Sequence, residues 1–93
     1  MITHLAIHRP KPEYKDDVLA SMRSVDAAAA GATGLIRING WREMDGDRLV
    51  GISTWESMEA FQAAADSIFA VVQNDPFDLW EDEPIQSMFL EYP

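Results

Sequence analysis

Trp55-Glu56-Ser57-Met58-Glu59-Ala60-Phe61 carries the chain from a strand into a helix with no intervening linker. Ser57 is a favourable N-cap, because its hydroxyl accepts from an unpaired backbone N–H of the first turn. Glu59 adds a negative charge where the helix dipole favours one. Behind the cap, Met58, Phe61, Ala65, Ile68 and Val72 recur at spacings of 3, 4, 3 and 4 residues, which predicts one apolar helical face. Trp55 then stands where a sheet hands over to a packed helix. It either lines a cavity or fills the core as a large aromatic.

Upstream, Leu35–Glu43 and Arg48–Trp55 flank Asp45-Gly46, which predicts a β-hairpin. With Asp45-Gly46 as a two-residue loop, Glu43 faces Arg48, an opposite-charge pair that supports this register. Trp41 then faces Val50, Gly40 faces Gly51, Asn39 faces Ile52 and Ile38 faces Ser53. Ile2 to His8 alternates as a strand, with Leu5 and Ile7 on one face and His4, Ala6 and His8 on the other. Pro10 and Pro12 end it and open a helix, along which Tyr14, Val18, Met22, Val25 and Ala29 keep helical spacing. Gly31 and Gly34 bracket its exit. Asp75–Glu83 reads as an irregular acidic segment, with Glu81-Asp82-Glu83 a solvated loop; its three large apolar side chains, Phe77, Leu79 and Trp80, make Phe77–Trp80 either a lid over a cavity or an arm gripping a partner. After Pro84, Ile85 to Tyr92 reads as a last strand.

Strand, helix, strand, strand, helix, strand predicts an α+β fold: a ferredoxin-like βαββαβ sandwich with a four-stranded antiparallel sheet, one domain over residues 1–93. Two helices cover one face of such a sheet. The hairpin, however, is apolar on both sides, with Ile36, Ile38, Leu49 and Trp55 on one and Leu35, Trp41, Val50 and Ile52 on the other. An uncovered apolar face marks an association surface, so a homodimer paired sheet against sheet is expected.

Composition narrows the function. The 93 residues are 47% apolar and 25% charged, ordinary for a globular chain. No stretch reaches the ~20 apolar residues of a membrane span, and His4, His8 and Arg9 interrupt any signal-peptide core. A cytoplasmic location is the expectation. Without cysteine, disulfides, thiolate nucleophiles and Cys-based metal sites drop out. The net charge is −9, and residues 49–93 hold no Lys or Arg at all. Such a surface repels phosphate backbones, so neither nucleic acid nor an anionic membrane is expected as a partner.

With the strand order, the Gly34-Leu35 start of the second strand and the Trp55-x-Ser57-x-x-Ala60-Phe61 junction in place, the chain resembles the antibiotic biosynthesis monooxygenase domain family from Ile2 to about Tyr92. The resemblance implies a dimeric α+β barrel and a small-molecule cavity between the helices and the inner sheet face. It implies a repertoire that includes cofactor-free oxygenases of polycyclic phenols, quinol oxygenases, haem-degrading enzymes and members with no known activity; fold alone does not choose among them. Carried over residue by residue, the strand-end tryptophan of the phenol oxygenases is Trp55. Their asparagine, tyrosine and arginine fall at Gly51, Phe61 and near Asp75. The asparagine, tryptophan and axial histidine of the haem-degrading branch fall near His8, Ala64 and Asn74.

The residues themselves offer few chemical groups. His4 and His8 share a strand face but stand ~13 Å apart at ~3.3 Å per residue, too far to chelate one metal. No metal and no cofactor are expected. His8, at a strand end, is the candidate base, its imidazole suited to proton transfer near neutral pH; the other reading is a solvent-facing strand-end histidine. Gly40 opposite Gly51 leaves a hollow in the sheet, sharing its face with Ile38, Arg42, Ser53 and Trp55. A flat aromatic ligand fits there against Trp55 and Phe61, with Ser53 as a hydrogen-bond donor; the competing reading is that a helix side chain fills the hollow. Two functions follow: a cofactor-independent monooxygenase of an electron-rich aromatic substrate, or a non-catalytic dimeric binding module with a packed interior.

Overall fold

The computed structural model describes all 93 residues. Four strands, β1 (Ile2–His8), β2 (Leu35–Arg42), β3 (Leu49–Trp55) and β4 (Gln86–Glu91), form one antiparallel sheet in the order β2-β3-β1-β4. Helices α1 (Lys15–Ala29) and α2 (Met58–Phe69) are the two crossovers, and the short α3 (Phe77–Trp80) follows α2. This is the expected ferredoxin-like arrangement. Pro12–Tyr14 form a 3-10 turn that leads into α1, and Ser57 caps α2 by accepting from the Ala60 N–H at 3.1 Å.

The hairpin register is the one the sequence predicts: Trp41 opposes Val50, Gly40 Gly51, Asn39 Ile52 and Ile38 Ser53. Beyond Arg42 the Glu43 N–H donates to the Arg48 carbonyl at 3.0 Å, and the Arg48 guanidinium grips the Glu43 carboxylate, closest at 2.6 Å. The turn itself differs from expectation. A type I′ loop needs positive φ at both central residues, and only Gly31 and Gly34 have positive φ here. The ion pair therefore holds the register while the loop stays open.

One face assignment is reversed. The register slips between Leu35 and Arg37, and a bulge of one extra residue turns the side chains before it to the other face. Leu35 consequently packs on the core, whereas Ile36 is 53% exposed. Gly34 explains the junction motif. At φ 82° its backbone lies so close to α2 that an added Cβ would stand 2.6 Å from the Ala60 Cβ, and its carbonyl accepts from the Glu56 N–H at 2.8 Å. A small residue at 60 and a glycine at 34 are one contact.

Beneath the helices lie two apolar clusters. Ile2, Ala29, Trp55, Phe61 and Ile68 form one at the α2 end of the sheet; Val18, Met22 and Leu49 form the other, with Trp80 packed against it. The opposite sheet face has no helix over it, and Trp41, Met88 and Leu90 are exposed there. Arg37 lies over the Trp41 ring, 5.7 Å from its centroid, and donates to Asn39 at 2.6 Å. No helix is long and apolar enough to cross a membrane.

Candidate functional site

Between the two clusters the helices do not meet the sheet, and a cavity of about 380 Å³ remains. That falls within the range of small-ligand sites, roughly 300–1,000 Å³. The floor is the inner face of β1 and β3, with His4, Ala6, His8, Gly51 and Ser53; α1 supplies Ser21, Met22, Val25 and Asp26, and Phe61, Phe69 and Phe77 form the far wall. The β4 side is lined by Ile85, Ser87 and Phe89, all exposed, so the cavity opens there.

His8 is only 6% exposed. It is not a solvent-facing histidine, because the segment after α2 folds back across the end of β1. Its Nδ1 lies 2.8 Å from the Glu81 Oε2, and the Glu81 Oε1 accepts from the Arg9 N–H at 2.9 Å. Glu81 is 4% exposed, so the expected solvated Glu81-Asp82-Glu83 loop holds only for its last two residues. A carboxylate can only accept. The pair therefore sets a proton on Nδ1, and in the neutral imidazole it leaves Nε2, without a partner in the protein, as an acceptor on the cavity.

His4 sits deeper, its Nε2 2.7 Å from the Ser87 Oγ and its ring flanked by Phe61, Phe69 and Phe89 at centroid distances of 5.0, 6.3 and 4.7 Å. Burial holds its imidazole below the usual value, because charging it among phenyl rings forfeits hydration. Burial likewise pushes the Asp26 carboxyl up. Ser21 donates to the Asp75 carboxylate, tying α1 to the stretch after α2.

Of the residues singled out from sequence, His8, Ser53, Phe61, Gly51 and Ile38 line the cavity. Trp55 does not. It is 1% exposed, packed edge-on to Phe61 at 5.7 Å, and donates its indole N–H to the Ser53 Oγ at 2.9 Å. It thus holds Ser53 with the hydroxyl proton free to donate elsewhere. Gly40 and Arg42 are also away from the cavity. The Met22 side chain fills the expected hollow, its Cε 3.1 Å from where a Gly40 Cβ would stand, and Arg42 is exposed near the hairpin end. Phe77 lines the cavity, as the lid reading of its segment expects; Glu81 and His4 have no assigned role in the sequence reading. The one available signal for Glu81 was its position four residues after Phe77, which puts the two on one side of a helical turn.

No group of three His, Cys, Asp or Glu side chains converges as a metal site. At the place of the haem branch's axial ligand, Asn74 is exposed and its neighbour Asp75 is taken by Ser21, so these residues do not fit a haem.

The class defined here is a two-layer ferredoxin-like unit with an apolar cavity of small-ligand size and a buried imidazole on its floor. The chain belongs to the antibiotic biosynthesis monooxygenase family: the sequence model of that family matches residues 1–68. No curated protein has a matching sequence. Among solved structures, Rv0793 of Mycobacterium tuberculosis superimposes with a TM-score of 0.87 at 15% identity, over 99% of this chain and 94% of the other. A Nitrosomonas europaea protein named for the same family gives 0.85 at 14% identity, over 99% and 98%. PA3566 of Pseudomonas aeruginosa gives 0.82 at 11% identity, over 99% and 93%. Identities this low speak for the fold alone.

Proposed function

We propose that the chain is a cofactor-independent monooxygenase of an electron-rich aromatic substrate, with His8 as the base. The observation that carries this reading is the His8 Nε2, open to a largely apolar cavity while Nδ1 is held by a buried carboxylate. A phenol placed between Phe61 and the β4 edge would give its hydroxyl proton to Nε2. The phenolate donates one electron to dioxygen, and the substrate radical and superoxide combine into a C–O bond. Loss of water from the resulting hydroperoxide leaves the quinone. The Ser53 hydroxyl is positioned to donate to negative charge at the ring oxygen or the peroxide. Phe61, with Gly51 and Ile38 on the sheet, would position the ring; Trp55 acts at one remove, through Ser53.

The protein would work as a homodimer paired through the sheet face that has no helix over it, where Trp41, Met88 and Leu90 are exposed. Light scattering giving a stable monomer at micromolar concentration would remove that part. A cytoplasmic location remains the expectation from composition.

Binding and turnover are tested on polycyclic phenols and quinols with two variants. At Gly51 an added Cβ meets nothing closer than 3.9 Å, so Gly51→Leu grows into the cavity and should abolish saturable quenching of tryptophan fluorescence. His8→Gln should keep binding and lose oxygen uptake. Unchanged uptake in His8→Gln removes the base assignment, and unchanged binding in Gly51→Leu removes the cavity. A second reading, a binding module without catalysis, is favoured by Gly51, Phe61 and Asp75 standing where the phenol oxygenases carry their asparagine, tyrosine and arginine. Binding with no oxygen uptake for any compound would decide for it.

A further inference from the structure

We infer that Glu81 is the positioning residue of His8 and also the latch of the segment that roofs the cavity, so that the base is set only when the roof is down. This rests on the reading of His8 as the base, but its geometry stands apart from the identity of any ligand.

Residues 75–83 follow the 3-10 turn Ala70–Val72 after α2, put Phe77 on the cavity and return to the end of β1. Every polar attachment at the far end goes to residues 8–11. The Glu81 carboxylate takes the His8 Nδ1–H and the Arg9 N–H at 2.8 and 2.9 Å. The Lys11 N–H donates to the Trp80 carbonyl at 2.8 Å, and the Asp82 N–H to the Arg9 carbonyl at 3.0 Å. Phe77, on the cavity wall, has its ring 5.9 Å from His8 and packs edge-on against Trp80 at 5.6 Å. The Glu81 N–H closes the α3 turn on the Phe77 carbonyl at 2.9 Å. The roof side chain and the carboxylate are thus carried on one short turn.

When that turn lifts, the imidazole loses the acceptor that fixes its proton on Nδ1, and either tautomer or ring orientation becomes accessible. The carboxylate, buried and satisfied by two N–H donors when closed, returns to water. Opening to admit a ligand at this end and readiness to take its proton exclude one another. The segment lies beyond residues 1–68, the part matched by the family's sequence model.

The test needs no substrate. The nitrogen-15 shifts of His8 in the full chain report which ring nitrogen carries the proton, and hydrogen exchange reports the amides of residues 80–82. Wild type should show the Nδ1–H tautomer and protected amides. Glu81→Gln, whose amide both donates and accepts, should give mixed tautomers and exchange at least 10-fold faster. Asp82→Pro removes the N–H that donates to the Arg9 carbonyl while keeping both Glu81 and His8, and the extended backbone of Glu81 accepts a following proline; exchange at residues 80 and 81 should speed up and the tautomer ratio should still shift. If Asp82→Pro speeds exchange while His8 keeps one tautomer, the coupling is wrong. If Glu81→Gln changes neither readout, Glu81 is neither latch nor positioning residue. Should Glu81→Gln fail to fold, Asp82→Pro decides alone. Loss of the base reading, by contrast, would show as unchanged oxygen uptake in His8→Gln while the wild-type chain keeps the Nδ1–H tautomer and protected amides.

Discussion

Replacing Gly34 by alanine should be far more damaging than replacing Gly31, although both glycines have nearly the same backbone, φ 82° and 79°. An L-residue in this left-handed region costs about 1–2 kcal/mol, and both variants bear that cost. At Gly31 the new methyl meets nothing within 4 Å. At Gly34 it would stand 2.6 Å from the Ala60 Cβ, well inside contact distance, so β2 and α2 must part; overpacking of this kind adds about 1–3 kcal/mol. Gly34→Ala should therefore lose roughly 2–5 kcal/mol against roughly 1–2 for Gly31→Ala. At about 4–8 °C per kcal/mol for a domain of this size, the gap in melting temperature is about 4–24 °C. Thermal and urea unfolding of both variants read it directly. A third variant, Gly34→Ala with Ala60→Gly, removes the colliding methyl. It should recover part of the loss despite about 1 kcal/mol of helix propensity given up at residue 60. Equal destabilisation at 31 and 34, or no recovery in the double variant, would refute the claim that Gly34 and Ala60 form one contact.

Removing the Ser53 hydroxyl by Ser53→Ala strands the buried Trp55 N–H and should cost about 1–3 kcal/mol; combined with Trp55→Phe, the double-mutant cycle should return a favourable coupling of about 1 kcal/mol, and additivity would deny the bond. Met22→Ala empties the space over Gly40 and should lose about 2–5 kcal/mol, whereas Met22→Leu should stay within about 1.5 kcal/mol of wild type. The native imidazole of His4 lies below the 6.5 of the free side chain, so the unfolded chain binds that proton more readily. Its contribution is full above pH 6.5, falls as the pH drops below it, and levels off once native His4 also protonates. Urea midpoints at pH 7.5 and 5.5 should show that slope, and His4→Phe should flatten it. Asp26 runs the opposite way. Its raised value favours the folded state at acid pH and is lost as the pH rises through the native value, so Asp26→Asn should gain on wild type at pH 7 relative to pH 3.5.

The fold was legible because its signals are local. The Ser57 cap, the alternation of Ile2–His8 and the pairing of Glu43 with Arg48 each act within a few residues, and each agreed with the others about one sheet register. The Leu35–Ile36 bulge was hidden because both residues are apolar, and a slip by one position leaves the pattern looking equally good on either face. Trp55 was misplaced for a similar reason. Size and position say that the ring is buried, but whether it meets a cavity or a core depends on Phe61, Ile68 and Ala29 arriving from two helices.

Glu81 is the instructive miss. Its partner is 73 residues away, and its neighbours Asp82 and Glu83 are exposed, as the acidic run suggests. Charge alone does not distinguish the one carboxylate that turns inward. What selects it is the α3 turn: Phe77 and Trp80 must bury their rings against His8, Val18, Met22 and Leu49, and the residue one turn on from Phe77 is then carried onto the His8 Nδ1. Burying a carboxylate costs several kcal/mol unless it is met by hydrogen bonds, and here the end of β1 supplies two. The apolar anchoring of the segment and the polar character of the cavity floor are therefore one event. A chain sharing the Trp-x-Ser-x-x-Ala-Phe junction and the sheet, but lacking an aromatic at 77 or an acid at 81, would keep the cavity and lose the oriented imidazole. In this chain, the orientation of the imidazole on the cavity floor is decided after residue 68 as much as before it.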